Sequence, residues 1–359
     1  MPIIALIAFF SLIALVILHE LGHFLLAKRF GVKVEEFGIG LPPRIFGKKA
    51  GETVYSLNLL PFGAFVRMFG EEEEKQDPRS FSSKPIWQRA LIVFGGVAVF
   101  WIAAAVLFSV IIWSGAPTAV DDSMGGVQNT AVQVADVANG SPAQKSGLKI
   151  GDKITELKIN GSILKTDKVK EVQEFIDENK GKEVVLLVER GGEDLFEVAL
   201  VPRVSPPGGE GAMGVALIRT AVIKYPWYEV PLRGVFTAAN LTLGIIMGWA
   251  AVLGNITQGK GVGAQLMGPV GILNLFGQVG QLGWFYFLNL VAVISVYLAI
   301  FNVLPIPALD GGKLLFLAFE KIKGMPLSQK TEQKITQFFF ILLVALLAFV
   351  TVKDIIRIL

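Results

Sequence analysis

The sequence predicts a mainly α polytopic membrane protein with about four transmembrane helices, a membrane-associated sheet of β-hairpins, and one inserted α+β domain. Three observations carry that expectation. Hydrophobic residues make up 53% of the 359, and mean hydropathy is +0.58, against an apolar share of about 45–50%, glycine included, in soluble domains. Four stretches, 3–26, 90–113, 284–304 and 335–352, have the length and apolarity that a hydrocarbon core of roughly 30 Å demands. Between 114 and 230 the apolar runs cease, and short alternating runs set off by Gly and Pro replace them.

Taken in order, residues 1–113 hold the first two spans. The first lacks a basic leader and an A-x-A site, and its best-marked polar residues lie inside it, so it reads as a retained span. Residues 32–69 alternate as strands do, with turn signals at LPPR, KKAGE and LPFG; two consecutive hairpins are expected. EEEEKQDPRS (71–80) reads as a solvated connection. Residues 128–203 combine β-rich runs (VQVADVA, EVVLLVER, LFEVALVP) with one amphipathic helix, KVKEVQEFIDEN. Within them, NGSPAQKSGLKIGDKITELKING resembles a PDZ domain, with Ser141-Pro142-Ala143 starting a short helix and Gly147-Leu148 and Gly151-Asp152 flanking the turn into a strand. Residues 204–230, opening on VSPPGGEGAMG, read as a linker. A juxtamembrane helical region (231–283) and the last two spans (284–359) complete the chain.

Charge gives an orientation and excludes one class of partner. The net charge of +3 comes from basic residues interleaved with acids, which is no footprint for nucleic acid. Residues 24–89 carry eleven Lys or Arg, and nothing basic precedes the first span. The positive-inside rule then places the N-terminus and the inserted domain outside and the hairpins in the cytoplasm. The chain has no Cys, so disulfides and thiolate ligands are excluded.

The first span ends on LHELGHFLLAKRF (18–30), which contains both histidines of the protein. Ionisable groups inside a span are costly and need partners. His19 and His23 are four residues apart, so on a helix they stand about 40° apart on one face. Two imidazoles so placed can share a Zn²⁺ while Glu20 acts as a base, the H-E-x-x-H arrangement. A catalytic zinc usually takes three protein ligands and keeps one position open. With no further His and no Cys, the third ligand has to be a carboxylate. The candidate is Asp310 in FNVLPIPALDGGKLLF, where two prolines break the helix and Gly311-Gly312 allows a close turn.

HELGH (19–23), GETVYSLNLLPFGAFVRMFGE (51–71), GPVGI (268–272) and NVLPIPALDGG (302–312) together resemble the site-2 intramembrane metalloproteases, most of all the bacterial regulator-of-sigma-E protease type, over nearly the whole chain. The resemblance implies that His19, His23 and Asp310 hold Zn²⁺, that Glu20 is the catalytic base, and that Asn302 contacts substrate. It also implies residence in the bacterial cytoplasmic (inner) membrane. The substrates would be transmembrane proteins, for instance a membrane-bound anti-sigma factor or remnant signal peptides. Two departures stand out. The family's second span commonly carries GPxAN, whereas this one reads GGVAVF, with Gly96 for Pro and Val99 for Asn. Only one PDZ-like domain is present, where many members have two in tandem.

The expected function is therefore hydrolysis of peptide bonds within membrane-spanning segments. A non-catalytic scaffold that presents a PDZ domain and keeps zinc for structure is the alternative. Glu20 separates the two, because a closed structural site needs no adjacent base. A metal transporter would need further acids along a path, and apart from Glu20 and Asp310 none is evident. Residues 231–253 are apolar enough to suggest a fifth span, but parity argues otherwise: one more crossing would carry Asp310 to the face opposite His19 and His23. A helix at the outer surface or packed beside the core is expected there.

Overall fold

The first helix, α1 (Pro2–Arg29), is stopped by its own sequence. Lys28 and Arg29 close its last turn, where cations suit the helix dipole. Gly31 then takes a left-handed φ of 68°. Val32 N–H bonds Ala27 O at 2.8 Å and Gly31 N–H bonds Lys28 O at 3.1 Å, the paired bonds of a Schellman stop. This computed structural model describes residues 2–71, 76–115, 117–125, 129–159, 161–191, 194–258, 267–280 and 283–358; the expected solvated connection falls partly outside them, at 72–75.

Among the described residues, five helices are long and apolar enough to cross a membrane: α1, α2 (Ile86–Trp113), α5 (Val230–Thr257), α7 (Trp284–Val303) and α9 (Gln329–Ile358). The protein is a polytopic membrane protein. Four of these helices fall on the four expected spans, and the fifth, α5, covers the stretch assigned by parity to the surface or the core. It packs lengthwise on α2: Trp101 Nε1 donates to Thr242 Oγ1 at 3.1 Å, and a Cβ on Gly234 would lie 2.4 Å from Ala105 O. The short α6 (Pro269–Val279) and α8 (Asp310–Lys323) flank α7.

The chain forms two compact units, one of Met1–Ser109, Pro231–Gly277 and Asn289–Leu359, the other of Val110–Val230 and Gln278–Leu288. In the first, β1 (Val34–Ala50) and β2 (Thr53–Met68) form an antiparallel sheet that differs from two consecutive hairpins. Phe37 pairs with both Val66 and Tyr55, Gly38 with Phe65 and Ser56, and Ile39 with Ala64 and Leu57. The strands fold back so that the first part of β1, around residues 37–39, is flanked on both sides. Of the expected turns, KKAGE ends β1 and starts β2 as a hairpin, with Gly51 at positive φ, whereas LPPR and LPFG bend the strands rather than end them, helped by positive φ at Gly40 and Gly63. A core of Ala27, Val32, Val34, Met68, Phe81, Ile92 and Val93 joins the end of α1, the sheet and α2.

The second unit is a seven-stranded sheet in the order β3-β9-β4-β5-β7-β8, with β6 on β5. Its strands are β3 (Thr118–Val120), β4 (Ala131–Val137), β5 (Lys153–Ile159), β6 (Ser162–Leu164), β7 (Val184–Arg190), β8 (Asp194–Leu200) and β9 (Val215–Ala221). As expected, α3 (Pro142–Lys145) starts at Ser141, whose hydroxyl accepts from Gln144 N–H. The amphipathic segment becomes α4 (Val169–Glu178), and Val172 and Ile176 enter the core with Val132, Ile154, Leu186 and Val198. The stretch read as a linker, 204–230, contributes β9, which pairs with both β3 and β4. The Pro/Gly signal stops at Gly214, and the alternating V-A-L-I-R-T-A that follows is strand.

Candidate active site

One helix and the start of another converge on a single point in the first unit. His19 and His23 come from α1 and are buried; Asp310 is the first residue of α8. The two Nε2 atoms are 3.3 Å apart, and Asp310 Oδ2 lies 3.2 Å from each. Ligands at about 2.0–2.1 Å from a tetrahedral zinc are separated by about 3.3 Å, so the spacing fits that ion. The protonation pattern fits as well. His23 Nδ1 faces Ile92 O at 2.9 Å, and since a carbonyl only accepts, Nδ1 carries the proton and Nε2 presents a lone pair to the centre. Asp310 Oδ2 is buried with no hydrogen-bond donor. Lone pairs converging without a donor call for a cation between them.

The position of Asp310 follows from local sequence. Pro305 and Pro307 occupy the break between Val303, where α7 ends, and Asp310. A Cβ on Gly311 would lie 2.1 Å from Leu304 O, and one on Gly312 would lie 2.3 Å from Pro307 Cα. Only glycine lets α8 start this close to the end of α7.

Glu20 lines a cavity of about 180 Å³ beside the centre, together with His23, Asp310 and Phe65, Val66 and Met68 of β2. It is not one of the three converging groups. Asn302 lines a second, larger cavity of about 790 Å³, and its amide donates to Leu298 O one turn back at 2.9 Å.

The structure gives roles to residues that have none in the sequence. At Gly96, which departs from the family motif, a Cβ would meet His23 Nε2 at 2.3 Å, so glycine makes room for the imidazole. Gly22 and Gly95 bring α1 and α2 together, with Gly95 O 2.4 Å from where a Gly22 Cβ would sit. Val99 packs over Gly22, its Cγ2 2.8 Å from the same point, and so fills space where the family commonly has an amide. Phe100 stacks on His19, with ring centroids 4.7 Å apart and planes 16° apart. Buried Ser295 on α7 donates to Phe100 O at 2.8 Å. Small residues at helix spacing were the available signal for the glycines; nothing in the sequence marked Phe100.

Comparison with known proteins agrees with this geometry. The sequence profile described as peptidase family M50 matches residues 7–346. A protein of Clostridium perfringens named "Putative zinc metalloprotease" is 36% identical over 355 residues, 99% of this chain and 98% of its own length. One of the same printed description from Fusobacterium nucleatum is 31% identical, covering 98% of each chain. Zinc metalloprotease RasP of Shouchella clausii is 28% identical over 436 aligned positions, again 98% of each.

Proposed function

The chain belongs to peptidase family M50, the site-2 proteases, and is a zinc metalloprotease of the membrane; from that premise we propose that it hydrolyses peptide bonds within transmembrane segments. His19, His23 and Asp310 would hold the zinc, and Glu20 would be the general base. The observation that carries this is the convergence of two imidazole nitrogens and one donorless carboxylate oxygen at tetrahedral ligand spacing. A bound Zn²⁺ supplies Lewis acidity, polarising the scissile carbonyl and acidifying water. Glu20, facing the small cavity, takes a proton from water and returns it to the leaving amine. Ile92 O fixes the tautomer of His23, and Phe100 fixes the plane of His19. Among the described residues three groups able to hold a metal converge rather than four, which suits a catalytic site better than the structural site of a scaffold.

A helical substrate must unwind before its carbonyls are reachable, and a strand edge then offers replacement hydrogen bonds. The 64–68 stretch of β2, which walls the cavity through Phe65, Val66 and Met68, is placed for that role. Asn302 would hold the substrate backbone from the larger cavity. We read the second unit as a PDZ-like domain that includes β9, and the substrates as membrane proteins such as anti-sigma factors or signal-peptide remnants.

Topology follows from the same site. His19 and His23 lie in the second half of α1 and Asp310 just past α7, so we read the two helices as running in one direction. An even number of crossings must then separate α2 from α7. Gly271 N–H bonds buried Asp354, near the end of α9, at 2.7 Å, and this supports reading the chain as back on the outer side before α7 begins. We therefore read α5 as packed beside α2 without completing a net crossing. The N-terminus lies outside, and the metal in the cytoplasmic half of an inner membrane.

The test combines metal analysis with cleavage of single-span substrates by reconstituted protein. Glu20→Gln is expected to keep one zinc per chain and lose turnover by at least about 100-fold. Turnover at a comparable rate would sink the assignment.

A further inference from the structure

Two cavities meet beside the metal centre. The inner is walled by Glu20, His23, Asp310 and the end of β2. The outer extends among polar residues of α8 and α9, Glu320, Glu332 and Gln333 among them. Glu71 and Lys313 line both. At that junction Lys313 Nζ donates to Glu71 Oε1 at 2.6 Å, and the neighbouring carboxylate holds the Lys313 ammonium above its ordinary range.

The origin of each partner gives the pair its meaning. Lys313 is three residues past Asp310 on α8, so the two side chains share a helix face. Glu71 is three residues past Met68, the last residue of β2, and the connecting turn is closed by Glu71 N–H to Met68 O at 3.3 Å and Phe69 N–H to Lys33 O at 2.9 Å. The pair therefore ties the helix start that supplies a metal ligand to the strand that walls the reaction chamber. Leu314, next along α8, packs against the core containing Met68 and Val93. That apolar contact sets the distance between α8 and the sheet but, being non-directional, not their register. A charge-assisted hydrogen bond is directional.

The pair is not a plug. Lys313 keeps 46% of its side-chain surface exposed, so the pair does not fill the space in which it stands. Nor is it an ordinary surface pair, which contributes little: Glu71 is only 17% exposed, and the ion pair faces a confined cavity where screening is weaker than in bulk water.

We propose that Glu71 and Lys313 form a latch that holds the β2 wall in register with the metal-binding helix, so that one peptide bond of an unwound substrate is presented to Glu20. They are positioning residues, and the inference rests on the metal and base assignments above. Breaking the latch leaves every ligand in place but lets the wall slide relative to the centre. Such a misplacement lowers rate and blurs the choice of bond.

The test uses the full-length protein in lipid and a single-span substrate, with zinc content, kcat and KM measured and products mapped by mass spectrometry. Glu71→Gln and Lys313→Met are each expected to keep one zinc per chain, lower kcat by about tenfold, and spread cleavage onto neighbouring bonds. The double variant is expected to be no worse than either single, because both remove the same contact. Lys313→Arg, which keeps a cation, is expected to retain the single cleavage position. A single cleavage position at unchanged rate in both single variants overturns the latch, as does loss of zinc in either. A double variant whose loss is the product of the two singles also overturns it. Failure of the underlying assignment looks different: Glu20→Gln, run alongside, would then still cleave.

Discussion

Two aspartates, Asp310 in the first unit and Asp152 in the second, show opposite ways of treating a carboxylate. Asp152, fully buried, accepts from Arg190 Nε at 2.6 Å, Arg190 Nη2 at 2.7 Å and Lys149 N–H at 2.8 Å. Its lone pairs are met and its charge is paired, so it closes the turn between α3 and β5. Asp310 Oδ2 faces two imidazole nitrogens and has no donor. The first arrangement is complete as it stands; the second is complete only around a cation. Buried polar groups in folded proteins are nearly always satisfied, so an unmet carboxylate oxygen facing two imidazoles marks a place where chemistry happens.

The strongest way to break the comparison is to remove each carboxylate. Asp310→Ala is expected to abolish zinc binding, read as metal per chain, and cleavage with it, a loss of at least about 1,000-fold, since metal polarisation and water activation go together. Asp152→Ala is expected to keep the metal and instead destabilise the second unit by roughly 2–3 kcal/mol, because Arg190 loses a two-bond partner while keeping some access to solvent. Hydrogen exchange confined to residues 131–221 reads that loss. Equal zinc loss in both variants would erase the distinction.

A smaller effect sharpens it. Gly96→Ala places a methyl where His23 Nε2 now sits and is expected to weaken zinc affinity by about 10–100-fold, the range found when the support of a metal ligand is disturbed. Metal competition against a chelator measures it, and unchanged affinity would show that α2 can yield.

The smallest effect concerns Asp167 in the second unit. Arg219 bonds it at 2.5 Å, and this bond, with one from Thr130, holds its carboxyl below the ordinary value. A lowered folded-state pKa contributes stability above the unfolded value, near 3.8, that is lost as pH falls through the folded value. Asp167→Asn is therefore expected to cost the second unit under about 1 kcal/mol at pH 7, since the pair is partly exposed. The difference from the parent should shrink as pH drops below about 3.8 and vanish once pH is below the lowered folded value. A gap that persists in acid would assign the loss to shape rather than charge.

Much of this molecule was legible in the chain. Four spans show in hydropathy because a bilayer admits only long apolar helices. His19, Glu20 and His23 show because a helix fixes i, i+4 neighbours, and Ser141, Gly147 and Gly151 show because caps and turns are local chemistry. The fold-back of β1 and β2 and the entry of β9 into its sheet were not legible, since strand pairing is chosen among distant partners and a Pro/Gly run does not say where a linker ends. Asp310 could be nominated from two prolines and two glycines, but its approach to His19, 291 positions away in the chain, is a product of helix packing. Gly96 and Phe100 matter only because α2 lies against the imidazoles, and Glu71 and Lys313 are an unremarkable Glu and Lys until the fold brings them together. Sequence by itself determined the elements and the donor set, because those rest on periodicity and residue chemistry. Tertiary structure alone decided which donors converge and what holds them, because packing over long sequence separation leaves no local mark on the chain.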